Sequence, residues 1–134
     1  MSLIELMDND DVWQEFYLYK QQKGHLSKLD DAELAKFIEQ AAYRPVVRRI
    51  CAGDGLGYPT KNLINKLGTN KKRVVYCFAP QEMYVLKLLA FLLFKYDDNQ
   101  PQGCYSFRRD YGAHSAIRTI VRTVGIDDMW CYKL

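Results

Sequence analysis

The sequence predicts an α+β fold, and three observations carry that prediction. Apolar residues recur at helical spacing in the first forty residues, again from Pro80, and again from Ala113. Between them, residues 61–78 are rich in β-branched and aromatic side chains around a Gly-Thr-Asn turn. The 134 residues are 49% hydrophobic and 26% charged, the balance of an ordinary globular chain. A chain of that size buries roughly two-thirds of the surface its unfolded form exposes, enough for a real core.

Asp11 to Lys23 reads as a first helix, with Val12, Trp13, Phe16 and Tyr17 near one face and Gly24 as its stop. A second starts at Asp30 or Asp31 and carries Leu34, Phe37, Ile38 and Ala41, with Glu33 in its first turn. Both read as an acidic leader to the rest. Tyr43 to Ala52 reads as a third, since Pro45 suits a first turn and Val46, Val47 and Ile50 share a face.

Ala52 to Thr60, "AGDGLGYPT", reads as a connector. It lacks the Gly-Lys-Ser/Thr of a phosphate-binding P-loop and the strand-to-helix setting of a dinucleotide fingerprint. Lys61–Leu67 and Lys71–Phe78 then form the arms of a β-hairpin. Lys66, Lys71, Lys72 and Arg73 cluster at its tip, where an anion would relieve their repulsion. A solvated tip that discourages edge-to-edge pairing explains the same lysines.

Pro80 opens a helix in which Lys87 and Lys95 alone interrupt the apolar run from Met83 to Tyr96, so it is predicted central and covered all round. Those 14 residues are too few to span a bilayer. From Ala113, an apolar face of Ala116, Ile117, Ile120, Val121 and Val124 runs to a stop at Gly125. His114, Arg118 and Arg122 form a basic row on another face. "MWCYKL", residues 129–134, reads as a short strand.

Charge is divided unevenly. Residues 1–43 hold four Lys and nine Asp/Glu, whereas residues 44–134 hold fifteen Lys/Arg and seven Asp/Glu. The basic part suits a polyanion, and solvated helix faces account for part of the same surplus. No cationic and apolar leader with a cleavage site opens the chain, which reads as cytoplasmic. Cys51, Cys77, Cys104 and Cys131 match no metal or redox spacing and are expected reduced and largely buried.

Catalysis is poorly supplied. Only His25 and His114 offer a base, and Ser115 beside His114 points about 100° away on a helix. The pairs Asp97/Asp98 and Asp127/Asp128 read as caps and turns, so neither a catalytic residue nor a metal ligand is assigned. What remains is anion binding: a basic hairpin, a basic helix row, and Tyr105, Phe107 and Tyr111 between them, as in binding of RNA or single strands.

The order of "K…GTNKKRVVY", an apolar helix, "CYSFRRDYGAHSAI" and an aromatic strand resembles the N-terminal blocks of bacterial reverse transcriptases of the retron and group II intron type. The likeness covers Lys61 to Leu134 well and Met1 to Thr60 weakly. Ser106, Arg109-Asp110-Tyr111 and Gly112 depart from the family's Gly, Pro-Gly-Arg and Ser.

The resemblance implies the fingers subdomain of an RNA-directed DNA polymerase, with 1–60 its N-terminal helical part and 61–134 its hairpin, central helix and second-motif helix. Lys66 and Arg73, with Lys71 and Lys72 beside them, would bind the dNTP triphosphate. Phe107, Arg108, His114, Arg118 and Arg122 would lie along the RNA template, with a DNA or RNA primer as a further partner. The palm aspartates that hold Mg²⁺ would follow Leu134, so this segment alone would be inactive and bind no cofactor. Fingers parted from a palm would expose apolar surface, through which two copies could pair. No membrane partner is expected. The reading from another class is a stand-alone RNA-binding or interaction module.

Overall fold

The computed structural model describes residues 2–24, 26–96, 103–106 and 111–130. Its helices are α1 (Leu3–Leu6), α2 (Asp10–Lys23), α3 (Lys28–Glu39), α4 (Arg44–Ala52), α5 (Pro80–Tyr96) and α6 (Ala113–Arg122), and its strands β1 (Thr60–Asn65) and β2 (Lys72–Cys77). A 3-10 turn follows at Ile126–Asp128. The fold is α+β, as predicted. Residues up to Leu93 form one compact unit and those from Phe94 a second.

Caps set the first helices. Ser2 and Glu5 exchange hydrogen bonds in a capping box, 2.7 and 3.3 Å, that starts α1. The Asn9 side chain accepts the Asp11 N–H at 2.8 Å and starts α2, with Asp10 and Asp11 in its first turn and Lys20 and Lys23 in its last. Gly24 ends α2 at φ +66°, where an L side chain would be strained.

The start of α3 differs from expectation: Ser27, not Asp30 or Asp31, is the cap, because its hydroxyl reaches the Asp30 N–H at 3.1 Å. The aspartates sit instead in the first turn, favoured by the helix dipole. α3 ends in a Schellman turn, with Ala42 N–H on the Phe37 carbonyl at 3.0 Å and Ala41 N–H on that of Ile38 at 2.9 Å. Its left-handed position is Ala41, φ +47°, where glycine is usual.

The acidic helices are no mere leader, since they supply much of the core. Trp13 is wholly buried, stacks on Tyr43 at 4.6 Å, and meets Phe16 and Phe37 edge-on. Its indole N–H donates to the Met7 carbonyl at 2.8 Å. Leu34, Phe37 and Ile38 from α3 join Val46 and Val47 from α4 and Val85, Leu88, Phe91 and Leu92 from α5. Tyr43 donates its hydroxyl to Asp10, and Arg44 reaches both Asp10 oxygens at 3.0 Å, tying the head of α4 to the head of α2. These contacts hold the Asp10 carboxyl below its ordinary range, the Tyr43 hydrogen bond foremost, while burial raises the Tyr43 phenol.

α5 is not covered all round. Val85, Leu88 and Leu92 face the core, but Leu93, Phe94 and Tyr96 are exposed, because only one side of the helix meets α2–α4. The end of α6 also differs: Thr123 caps it in extended conformation, and Gly125, φ +74°, instead opens the 3-10 turn. The apolar ridge of α6, Ile117, Ile120 and Val121, is exposed. Met129 and Trp130 are not in a strand, and residues 131–134 of the expected strand lie outside the described residues. Cys51 and Cys77 are exposed and Cys104 is half-buried, contrary to the expectation of burial: Cys77 ends a strand of the exposed ribbon, and Cys51 lies in α4 beyond its buried Val46 and Val47. Cys131 lies outside the described residues. Among the described residues, no helix is long and apolar enough to cross a membrane.

Candidate nucleic-acid interface

β1 and β2 pair antiparallel, from Thr60 opposite Cys77 to Asn65 opposite Lys72. The arms are shorter than the sequence suggests. Beyond Asn65 one further backbone bond forms, Lys66 N–H to the Lys71 carbonyl at 3.0 Å. The turn then closes over residues 67–70, with Thr69 N–H on the Lys66 carbonyl at 3.3 Å and Gly68 at φ +74°. Lys71 N–H is taken by the Thr69 hydroxyl at 3.3 Å.

That register sorts the cations, because opposed residues share a face and faces alternate along a strand. Ile64 opposes Arg73, so the Lys66 and Lys71 pair, two steps further, lies on the same face. Asn65 opposes Lys72, Leu63 opposes Val74 and Lys61 opposes Tyr76 on the other face. Of the four predicted dNTP contacts, the hairpin therefore brings together Lys66, Lys71 and Arg73 and turns Lys72 away. Lys61 and Tyr76, not singled out by sequence reasoning, accompany Lys72.

Neither face carries a counter-charge. From Gly55 to Gln81 the chain has five Lys/Arg and no Asp or Glu. All five cations are exposed. Lys66 directly opposes Lys71, a like-charge pair that costs stability unless an anion lies between. Every strand residue except Val75 is exposed, including Tyr76 at 60%, so the hairpin stands out from the helices as a two-faced ribbon.

Its base is held by a residue that the sequence did not mark. Glu82, in the first turn of α5, is 6% exposed and accepts the Gly57 N–H at 2.8 Å and a hydrogen bond from Arg49 of α4. The Gly57 bond, with Arg49 behind it, holds the carboxyl below its ordinary range against the opposing pull of burial. A Cβ at position 57 would come within 3.2 Å of the Glu82 Oε1, so glycine permits this approach. Beside the pair lies an open cleft of about 470 Å³ lined by Pro45, Val46, Arg49 and residues 79–82.

The other predicted contacts lie in the second unit. His114, Arg118 and Arg122 are exposed on α6, in the row that the spacing implies. Tyr105 and Tyr111 pair with ring centres 6.0 Å apart. Phe107 and Arg108, like His25 and Asp97/Asp98, lie outside the described residues. No group of three or more His, Cys, Asp or Glu side chains placed to hold a metal ion comes together among the described residues. No family model, curated protein or solved structure matches the chain.

Proposed function

We propose that the hairpin binds phosphate and that the chain is the N-terminal fingers segment of an RNA-directed DNA polymerase. One observation supports this most: the register gathers Lys66, Lys71 and Arg73 on one face of a ribbon that has no carboxylate. A guanidinium that binds two oxygens at once, flanked by two mobile ammonium groups, suits the dense charge of a triphosphate. The His114, Arg118 and Arg122 row would serve the template backbone in the same polymerase. The chain's part is to bind and orient; the Mg²⁺ chemistry would belong to palm aspartates outside it.

In that polymerase, Lys66→Ala and Arg73→Ala each raise the KM for dNTP roughly tenfold, the scale of one charge-assisted contact. An unchanged KM in both variants contradicts the assignment.

The reverse face favours a second reading, an RNA-binding module without polymerase activity. Tyr76 lies exposed opposite Lys61 and on the same face as Lys72, an aromatic platform between cations that suits a stacked base. If the 134-residue chain binds an RNA oligonucleotide through Lys61 and Tyr76 and shows no preference for nucleoside triphosphate over monophosphate, the module reading replaces the polymerase one.

A further inference from the structure

We infer that Glu82 is a positioning residue for the hairpin: its carboxylate clamps the entry leg of the ribbon to the head of α5, into which the exit leg runs, and so fixes where the cationic tip is presented. Gly57 lies three residues before β1, and its amide donates to this carboxylate at 2.8 Å, while the exit leg runs from β2 straight into α5, whose first turn carries Glu82. Arg49 ties the same group to α4, and Glu82 itself is built into α5. Entry leg and two helices thus meet on one side chain.

Leverage makes this anchor matter. Six residues per strand carry the tip about 20 Å from the base. Rocking the base by about 10° therefore moves Lys66 and Arg73 by about 3.5 Å, beyond the range of a hydrogen bond. Apart from Leu56, which packs against the core beside Gly57, the ribbon is lightly held, since its strands are exposed except at Val75. Replacing the carboxylate by an amide removes the negative charge that holds the Arg49 guanidinium and leaves only a neutral carbonyl oxygen for the Gly57 and Arg49 donors. Gly57→Ala disturbs the same clamp with its charge intact, by pressing a methyl against Oε1.

The functional half of this inference rests on the phosphate-binding reading; the orientational half does not. Two measurements on the whole chain separate them. Residual dipolar couplings of backbone amides report orientation without any ligand. In the wild type one alignment tensor should fit both the strands and α2–α5. In Glu82→Gln and in Gly57→Ala the strand couplings should shrink while those of the helices persist.

Titration with inorganic tripolyphosphate should show affinity lowered about tenfold in both variants, with circular dichroism of the helices unchanged. Wild-type strand couplings in both variants overturn the clamp, whatever the affinity does. Reduced couplings in a chain whose wild type ignores tripolyphosphate uphold the clamp and overturn the phosphate reading instead. If Glu82→Gln fails to fold, Gly57→Ala decides the matter alone.

Discussion

The helical body and the hairpin belong to one compact unit yet use their apolar residues in opposite ways. The body buries them: Trp13, Phe16, Leu34, Tyr43, Val85, Leu88 and Leu92 are almost wholly hidden. The hairpin displays them: Leu63, Ile64, Val74 and Tyr76 stay about half exposed on two faces, beside five cations and no carboxylate. A two-stranded ribbon has little stability of its own, so the body must hold it. The difference teaches that the buried apolar core lies in α2–α5, while the ribbon leaves its side chains to solvent and is tied to the body at Glu82.

The largest test of this division is a pair of truncations. Trp13→Ala should cost about 3–5 kcal/mol of unfolding free energy, through loss of the ring and the cavity left against Tyr43 and Phe37. Leu63→Ala should change it by less than about 0.5 kcal/mol, as at an exposed site. Chemical denaturation measures both, and similar costs would erase the distinction.

A smaller effect should appear in acid. The folded-state Glu82 and Asp10 carboxyls are held below the ordinary range, so the stability they contribute is complete above the unfolded carboxylate pKa of about 4 and is lost as pH falls through the lower folded values. Glu82→Gln should lower stability at neutral pH and flatten the dependence below pH of about 4, with Asp10 accounting for the residual slope. Denaturation midpoints between neutral pH and the acid limit check this; parallel curves for variant and wild type would contradict it.

The smallest effect sharpens the body alone. Ala41 holds a left-handed position that costs an alanine about 1 kcal/mol or more, while glycine there loses some of that gain to the greater freedom of its unfolded chain. Ala41→Gly should therefore raise stability by a few tenths to about 1 kcal/mol, and a loss of stability would show the turn to be unstrained.

The body was legible in the sequence where periodicity speaks: α2 and α3 announce themselves by Trp13, Phe16, Leu34 and Phe37 at helical steps, and Gly24 marks a stop. Cap choice was not, because Ser27, Asp30 and Asp31 compete within one turn and only geometry decides which oxygen meets a free amide. α1 escaped notice because four residues hold too little pattern. The breadth of α5's apolar surface suggested full cover, but coverage depends on how many helices arrive, which no local pattern encodes.

The hairpin's existence was legible in its turn residues and flanking β-branched runs, but the grouping of its cations was not. A one-residue difference in register would exchange the faces, and register was settled by the Lys66–Lys71 bond and the closure of the 67–70 turn. Glu82 looked like any first-turn carboxylate after Pro80. Its partners Gly57 and Arg49 stand 25 and 33 residues away in sequence, beyond the reach of motif reading.

The central claim, that one face of the hairpin takes phosphate, is tested most directly by titrating the chain with a deoxynucleoside triphosphate while following backbone amide shifts. Saturable changes concentrated between Lys66 and Arg73, weaker for the monophosphate and abolished by Lys66→Ala together with Arg73→Ala, are predicted. Shifts spread evenly over the cations of α4, α6 and the hairpin, and untouched by the double substitution, would contradict it.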